Sequence, residues 1–220
     1  MFFQDRQDAG QQLGMALAGY RGEETVVLGI PRGGVVVAAE VAKILRAPLD
    51  LIIPRKIGAP RNSEVAIGAV APDGTVILDN RMVAVMGISD DEITSLAEKV
   101  RVEISRREET YRGGRPARNL AGKVVILVDD GIATGYTILA ALRAIKKQGP
   151  KKLILAVPVA PADTIRDLER EADQLICLEI PEDFYAVGQF YKEFDQTEDQ
   201  EVMTLIKENA EVKYDEKVRR

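Results

Sequence analysis

The run Val124-Val125-Ile126-Leu127-Val128-Asp129-Asp130-Gly131-Ile132-Ala133-Thr134-Gly135-Tyr136-Thr137 decides how the chain folds. Its first five residues are apolar without interruption. Such a run is too short for a helix that must bury one face, and it suits a strand buried on both faces in a parallel sheet. The strand stops at two carboxylates. A glycine turn follows, and the stretch from Gly135 to Gln148 reads as a helix stopped by Gly149-Pro150. This is one strand-loop-helix unit, and in open α/β sheets the loops at the carboxyl ends of the strands carry the ligand.

Working outward, the same pattern recurs. Val26 to Ile30 reads as a strand, Pro31-Arg32-Gly33-Gly34 as a turn, Val35 to Leu45 as a helix and Leu49 to Ile53 as a second strand. A right-handed parallel crossover is expected there. Downstream, a strand at Leu153 to Val157, a helix reaching Ala172 and a strand at Gln174 to Leu178 complete the set, while Ala9, Leu13, Ala16 and Leu17 show helical spacing near the start. Five strands with intervening helices predict an α/β fold, a doubly wound and mainly parallel five-stranded sheet.

Residues 55–80 break this rhythm. Pro54 to Glu64, PRKIGAPRNSE, is rich in Pro and basic residues and reads as an exposed, flexible loop; Val65 to Val70 and Thr75 to Leu78 flank Pro72-Asp73-Gly74 as a hairpin. Residues 81–115 read as an inserted helical segment. It opens on the capping box Ser89-Asp90-Asp91-Glu92 and places Ile93, Leu96, Ala97, Val100 and Ile104 on one face. Residues 179–220 hold Phe184, Tyr185, Phe190, Tyr191 and Phe194 and then an amphipathic helix from Glu198, which suggests an aromatic hood. All of this is expected to form a single domain over 1–220.

Composition narrows the function. The 220 residues are 46% hydrophobic and 30% charged, a globular profile. The chain has no histidine, so catalytic triads, Cys-His dyads and imidazole-bound metals are excluded. Cys177 is the one cysteine, expected as a buried small hydrophobe in a reducing cytoplasm. No apolar run approaches the roughly 18 residues of a membrane span, so neither secretion nor membrane insertion is expected. A net charge of -5 argues against DNA or RNA as a partner, and any anion site must be local.

The strand-end loops supply such a site. Asp129 and Asp130 are acceptors suited to vicinal hydroxyls or to a hydrated Mg²⁺. Ala133, Thr134, Gly135, Tyr136 and Thr137 lead into a helix start, where free amides and the helix dipole favour a phosphate. A pentose monophosphate satisfies both halves. A P-loop is excluded, because the glycine spacing from Gly29 to Gly34 continues into Val35-Val36 and lacks the GK[ST] ending.

At these residues the chain resembles a known family. VVILVDDGIATGYT is similar to the phosphoribosyl-diphosphate (PRPP) signature of type I phosphoribosyltransferases, and Pro31-Arg32-Gly33-Gly34 to their pyrophosphate loop. The likeness runs from about Phe3 to Phe194, and the RKIGAP stretch resembles that of uncharacterised bacterial phosphoribosyltransferase-like proteins. The resemblance implies that ribose 5-phosphate moves from PRPP to a nitrogen nucleophile, a small heterocyclic base, with release of pyrophosphate. Asp129 and Asp130 would hold the ribose hydroxyls, and Mg²⁺ through water, the ion being bound mainly by PRPP. Ala133 to Thr137 would hold the 5-phosphate, and Arg32, Gly33 and Gly34 the pyrophosphate. Arg55 and Lys56 would act catalytically from a closing loop that also carries Arg61. Ala133 stands where 6-oxopurine enzymes have an acid, which turns the expectation from hypoxanthine or guanine toward the adenine and orotate enzymes, whose longer patterns are missing here. Tyr185 resembles the aromatic that stacks on the base, and Glu64 is a candidate proton acceptor. A homodimer is implied. The rival reading is a PRPP-sensing regulator with little transferase activity.

Overall fold

The structure is a computed structural model that describes residues 3–60 and 62–209. In chain order the elements are α1 (Arg6–Ala16), β1 (Thr25–Gly29), α2 (Gly33–Leu45), β2 (Leu49–Leu51), β3 (Arg55–Ala59), β4 (Asn62–Val70), β5 (Val76–Leu78), α3 (Asn80–Met86), α4 (Asp90–Arg112), β6 (Val124–Val128), α5 (Tyr136–Lys146), β7 (Lys152–Val159), α6 (Ala162–Leu168), β8 (Gln174–Glu179) and α7 (Asp199–Asn209). Five strands form a parallel sheet in the order β2-β1-β6-β7-β8. The winding runs outward in one direction from β1 and in the other from β6, so the strand order reverses between them.

Continuous apolar strands are required because side chains alternate between two cores. Val27, Val124, Ile126 and Val128 enter the core under α1, α2 and α7, whereas Val26, Leu28, Val125 and Leu127 enter the core under α5 and α6. Each fully buried Val, Leu or Ile contributes roughly 1.5–3 kcal/mol. β8 lies at the sheet edge and is only half-buried. Cys177, on β8, is accordingly part-buried rather than buried, and burial pushes its thiol up to about 11, which favours the neutral thiol over the nucleophilic thiolate at neutral pH.

Residues 55–59 overturn the expectation of an exposed loop. They form β3, paired antiparallel with β4, and β4 pairs with β5 in a separate three-stranded sheet. The reason is a period-two pattern hidden among the basic residues: Ile57 and Ala59 are buried while Lys56 is exposed. The pairing slips at Gly58, where a Cβ would sit 2.6 Å from the Ser63 carbonyl oxygen; only glycine fits that irregularity. The hairpin about Pro72-Asp73-Gly74 forms as expected, with Ala71 N–H donating to Thr75 O at 2.8 Å. Arg61 lies outside the described residues.

Ser89 caps α4 in a reciprocal box with Glu92, and α4 buries Ile93, Ala97, Ile104 and Tyr111. The short helix α3, capped by Asp79, precedes it and left no periodic signal in the sequence. Phe3, Phe190 and Tyr191 are buried with Phe184 and Phe194 against them, so the hood is a small aromatic core, tied by a bridge from Phe3 to Tyr191. Among the described residues no helix is long and apolar enough to cross a membrane.

The C-terminus of α4 is anchored by a buried ion pair. Arg112 Nε donates to Asp50 Oδ1 at 3.1 Å, and Arg112 also donates to Leu51 O at 2.6 Å and to Glu108 at 2.7 Å. Asp50 further accepts from the Leu51 and Arg118 amides. Removing one member of such a pair strands its partner's charge at a cost of about 3–5 kcal/mol. Asp50→Ala should therefore lower Tm by about 6–20 °C, at the roughly 2–4 °C per kcal/mol of a chain this size; calorimetry showing a change of under 1 °C would remove this anchor from the argument.

Candidate active site

The site lies where β1 and β6 end side by side. Ile30 N–H donates to Val128 O at 3.0 Å and holds the two loops together. The N-terminus of α2 then runs against the carboxylates that leave β6. A Cβ on Gly33 would overlap the Asp130 carboxylate, and one on Gly34 would lie 2.5 Å from Asp129 Oδ1. The glycines of PRGG are thus demanded by this approach, which brings the helix amides and dipole to the acidic pair.

The pair carries an electrostatic cost. Burial, and then repulsion from Asp130, hold the Asp129 carboxyl well above the usual carboxylate range. Burial also raises Asp130, but there the Arg6 guanidinium opposes it. Arg6 Nε donates to Asp130 Oδ2 at 2.7 Å and Arg6 Nη1 to Asp195 O at 2.7 Å, while the guanidinium lies 3.8 Å over the Phe194 ring. The Asp130 amide donates to Asp129 Oδ1 at 2.9 Å, and Tyr191 O–H donates to Asp130 O at 2.6 Å.

The stretch Ala133 to Thr137, expected to hold a phosphate, follows. Gly135 has φ 79°, a left-handed conformation that favours glycine, and as N-cap it offers no side chain to the first-turn amides of α5, which leaves them for a ligand. Thr164 Oγ1 donates to Ala133 O at 2.7 Å and fixes the loop from α6. The Tyr136 ring turns away: its O–H donates to Asp79 Oδ2 at 2.8 Å, on the cap of α3.

A cleft of about 660 Å³ opens here. Of the residues expected from sequence, Arg32, Gly33, Arg55, Lys56, Asp129, Asp130 and Thr137 line it. Gly34 packs on Asp129 behind the lining, and Ala133 and Thr134 are exposed on the adjoining loop. Tyr185 is 86% exposed and stands outside the cleft. It is therefore not a core residue, and the aromatic that does face the cleft is Phe194. Glu64 falls on β4, and its side chain lies outside the described set.

Sequence reasoning missed Arg6 and Arg107, both of which line the cleft. Arg6 is 124 residues from Asp130, and no local spacing couples them. Arg107 stands at i+4 from Glu103, where it reads as a helix-surface ion pair. Arg32 is steered by residues that follow the hood: Nη1 lies 3.7 Å from Asp199 Oδ1, and the Gln196 amide, turned to put its oxygen toward Arg32, accepts from the same guanidinium.

An open parallel sheet whose strand order reverses beside an acidic pair and a glycine turn defines an α/β protein with its candidate ligand site at the carboxyl ends of the strands. Residues 8–195 match the phosphoribosyl transferase domain. The chain belongs to the phosphoribosyl transferase family. It is 44% identical over 204 residues to provisionally named phosphoribosyl transferases of two Mycobacterium tuberculosis strains, covering 93% of this chain and 46% of theirs. The chain thus spans about half the length of these relatives. It is similar to TT1426 from Thermus thermophilus, at 41% identity and a TM-score of 0.80 over 96% of this chain and all of that one. AQ2163 from Aquifex aeolicus, at 13% identity and a TM-score of 0.50, covering 83% of this chain and 78% of that one, shares the fold.

The raised Asp129 pKa makes a stability prediction. A carboxyl whose folded pKa lies above its unfolded value of about 3.9 favours the fold while protonated and loses that contribution as pH rises through the folded pKa. Asp129→Asn removes the ionisation and keeps the acceptor for the Asp130 amide. The variant should melt above the wild type at pH 7–8, with the difference shrinking toward zero below pH 4. Melting curves that stay superimposed at neutral pH would mean that the carboxylate is fully compensated.

Proposed function

We propose that the chain binds PRPP in this cleft and transfers its ribose 5-phosphate to a nitrogen nucleophile, a small heterocyclic base, releasing pyrophosphate. The observation that carries the reading is the Asp129–Asp130 pair pressed against the glycine-opened N-terminus of α2, beside a second helix start with free amides. Hydroxyl donors of a ribose suit the carboxylates, a 5-phosphate suits the start of α5, and the leaving pyrophosphate falls toward Arg32, Arg55 and Lys56.

Cleavage of the bond from ribose C1 to pyrophosphate leaves positive charge on the sugar and negative charge on the leaving group. Carboxylates on the sugar side and cations on the other therefore act mainly in the transition state. Asp129 and Asp130 orient the sugar and offset its developing charge. Arg32, Arg55 and Lys56 receive the pyrophosphate. A Mg²⁺ would be held mainly by PRPP oxygens, with Asp129 and Asp130, which line the cleft, as the side chains that would reach it through water. When bound, Mg²⁺ supplies further neutralisation of the pyrophosphate charge. A homodimer working in the cytoplasm belongs to the same proposal.

PRPP with Mg²⁺ should raise Tm, because a ligand bound only to the folded state stabilises it by mass action. At 100 times its Kd the gain is about 2.7 kcal/mol, or roughly 5–11 °C for a chain of this size. Asp130→Asn should abolish most of the shift. Pyrophosphate release assayed against a panel of bases then identifies the acceptor; no Tm shift in the wild type at millimolar PRPP would overturn the proposal. Tyr185→Ala separates the acceptor side. With its ring exposed it should leave Tm unchanged, and a Michaelis constant for the acceptor that also stays unchanged would dismiss the ring as a base platform.

A further inference from the structure

One carboxylate at the rim of the cleft is surrounded by more positive charge than it can neutralise. Three guanidiniums bond Glu103 Oε1: Arg107 Nε at 2.7 Å, Arg106 Nη2 at 3.0 Å and Arg55 Nη1 at 3.5 Å. Two of the three, Arg55 and Arg107, also line the cleft, whereas Arg106 is on the outer face with its side chain 65% exposed. Arg55 comes from β3 and Arg107 from α4, within the inserted segment, so the cluster is assembled across 48 residues or more of chain rather than along one helix face.

The surplus has physical consequences. Burial, and next repulsion from Arg107, lower the Arg55 pKa, while the hydrogen bond to Glu103 raises that of Arg107. Arg107 is itself braced from behind, its Nη1 donating to the Tyr111 hydroxyl oxygen at 3.4 Å, and Tyr111 O–H donating to Asp199 Oδ1 at 2.7 Å. Two guanidiniums held on one oxygen, facing a cleft and left with net positive charge, match a polyvalent anion with oxygens on neighbouring centres. Monovalent anions need only one of them.

We propose that Arg107, supplied by the inserted helix α4, is a pyrophosphate-binding residue that engages the diphosphate of PRPP together with Arg55, with Glu103 as the positioning residue that holds both guanidiniums at the cleft. The proposal rests on the phosphoribosyl transfer reading and extends it, since it gives the insertion a direct part in binding the leaving group.

Calorimetric titration of the full chain with inorganic pyrophosphate and with PRPP, each with Mg²⁺, tests it. Arg107→Ala should weaken both by about 10- to 100-fold, the loss expected for a hydrogen bond to a charged group. Arg106→Ala removes another arginine from the same carboxylate outside the cleft, and should change either affinity by less than about 2-fold. Arg107→Lys, which keeps the charge without the fork, should fall between wild type and Arg107→Ala, and it carries the test if the alanine variant does not fold. Wild-type affinity in Arg107→Ala, or in Arg107→Lys where only that folds, would overturn the clamp while PRPP binding by the wild type left the transfer reading intact. Equal losses in Arg106→Ala and Arg107→Ala would also overturn it, placing the effect in the packing of α4. A wild type that bound neither ligand would remove the transfer reading and the clamp with it.

Discussion

Two carboxylates held against the start of a helix are the constraint to which the rest of the structure answers. Carboxylates are stabilised near helix N-termini, but a pair taken out of water is not, and here burial pushes both acids toward protonation. What reconciles them is distributed along the chain: no Cβ at Gly33 and Gly34, an amide from Asp130, and the Arg6 guanidinium from the first helix. The hood takes part as well, because Phe194 backs Arg6 and Tyr191 holds the Asp130 carbonyl. N-terminal helix, hood and switch point are therefore one electrostatic unit, although they are far apart in sequence.

An acidic protein with a basic cleft follows from the same economy of charge. The net charge is -5, yet five basic and two acidic side chains line the cleft. Packed arginines need partners before a ligand arrives, and the structure provides them at one remove: Glu103 for Arg55 and Arg107, and Asp199 and Gln196 for Arg32. These partners sit behind or beside the cations and fix the direction of the guanidiniums. Five basic against two acidic side chains leave the lining net positive, the sign that would draw a polyanion toward it.

How much of this was legible depends on the range of the interactions. Val124 to Val128 is readable as a strand because its burial on both faces writes an unbroken apolar run, and Gly33 and Gly135 are readable because a close approach at one helix start and a left-handed backbone at the other demand them. β3 was not, since Pro54, Gly58 and Pro60 mask the alternation of Ile57 and Ala59, whose burial comes from the fold around them. Arg6 and Arg107 were not, because their roles are set by residues elsewhere in the chain, and a lone arginine on a helix carries no mark of what it will face. Tyr185 shows the converse. A local motif suggested a stacking ring, but the Gln189 side chain accepts from the Tyr185 amide and the turn leaves the ring in solvent, while Phe194 takes the place facing the cleft.

The inserted segment is joined to the core by polar ties rather than by one apolar face alone. Asp79, which caps α3 just ahead of the segment, holds Tyr136 at the start of α5; Glu103, within α4, holds Arg55 on β3; Arg112, at its end, holds Asp50 on β2. Each tie reaches a different wall of the cleft or its supporting strand. Hydrogen bonds of this kind are directional, so they fix angle as well as distance, and three of them spaced along the segment leave it little freedom to move alone. Any motion that closes β3 over a ligand must then carry α4 with it or break the Arg55–Glu103 contact, which at 3.5 Å is the longest of the three ties.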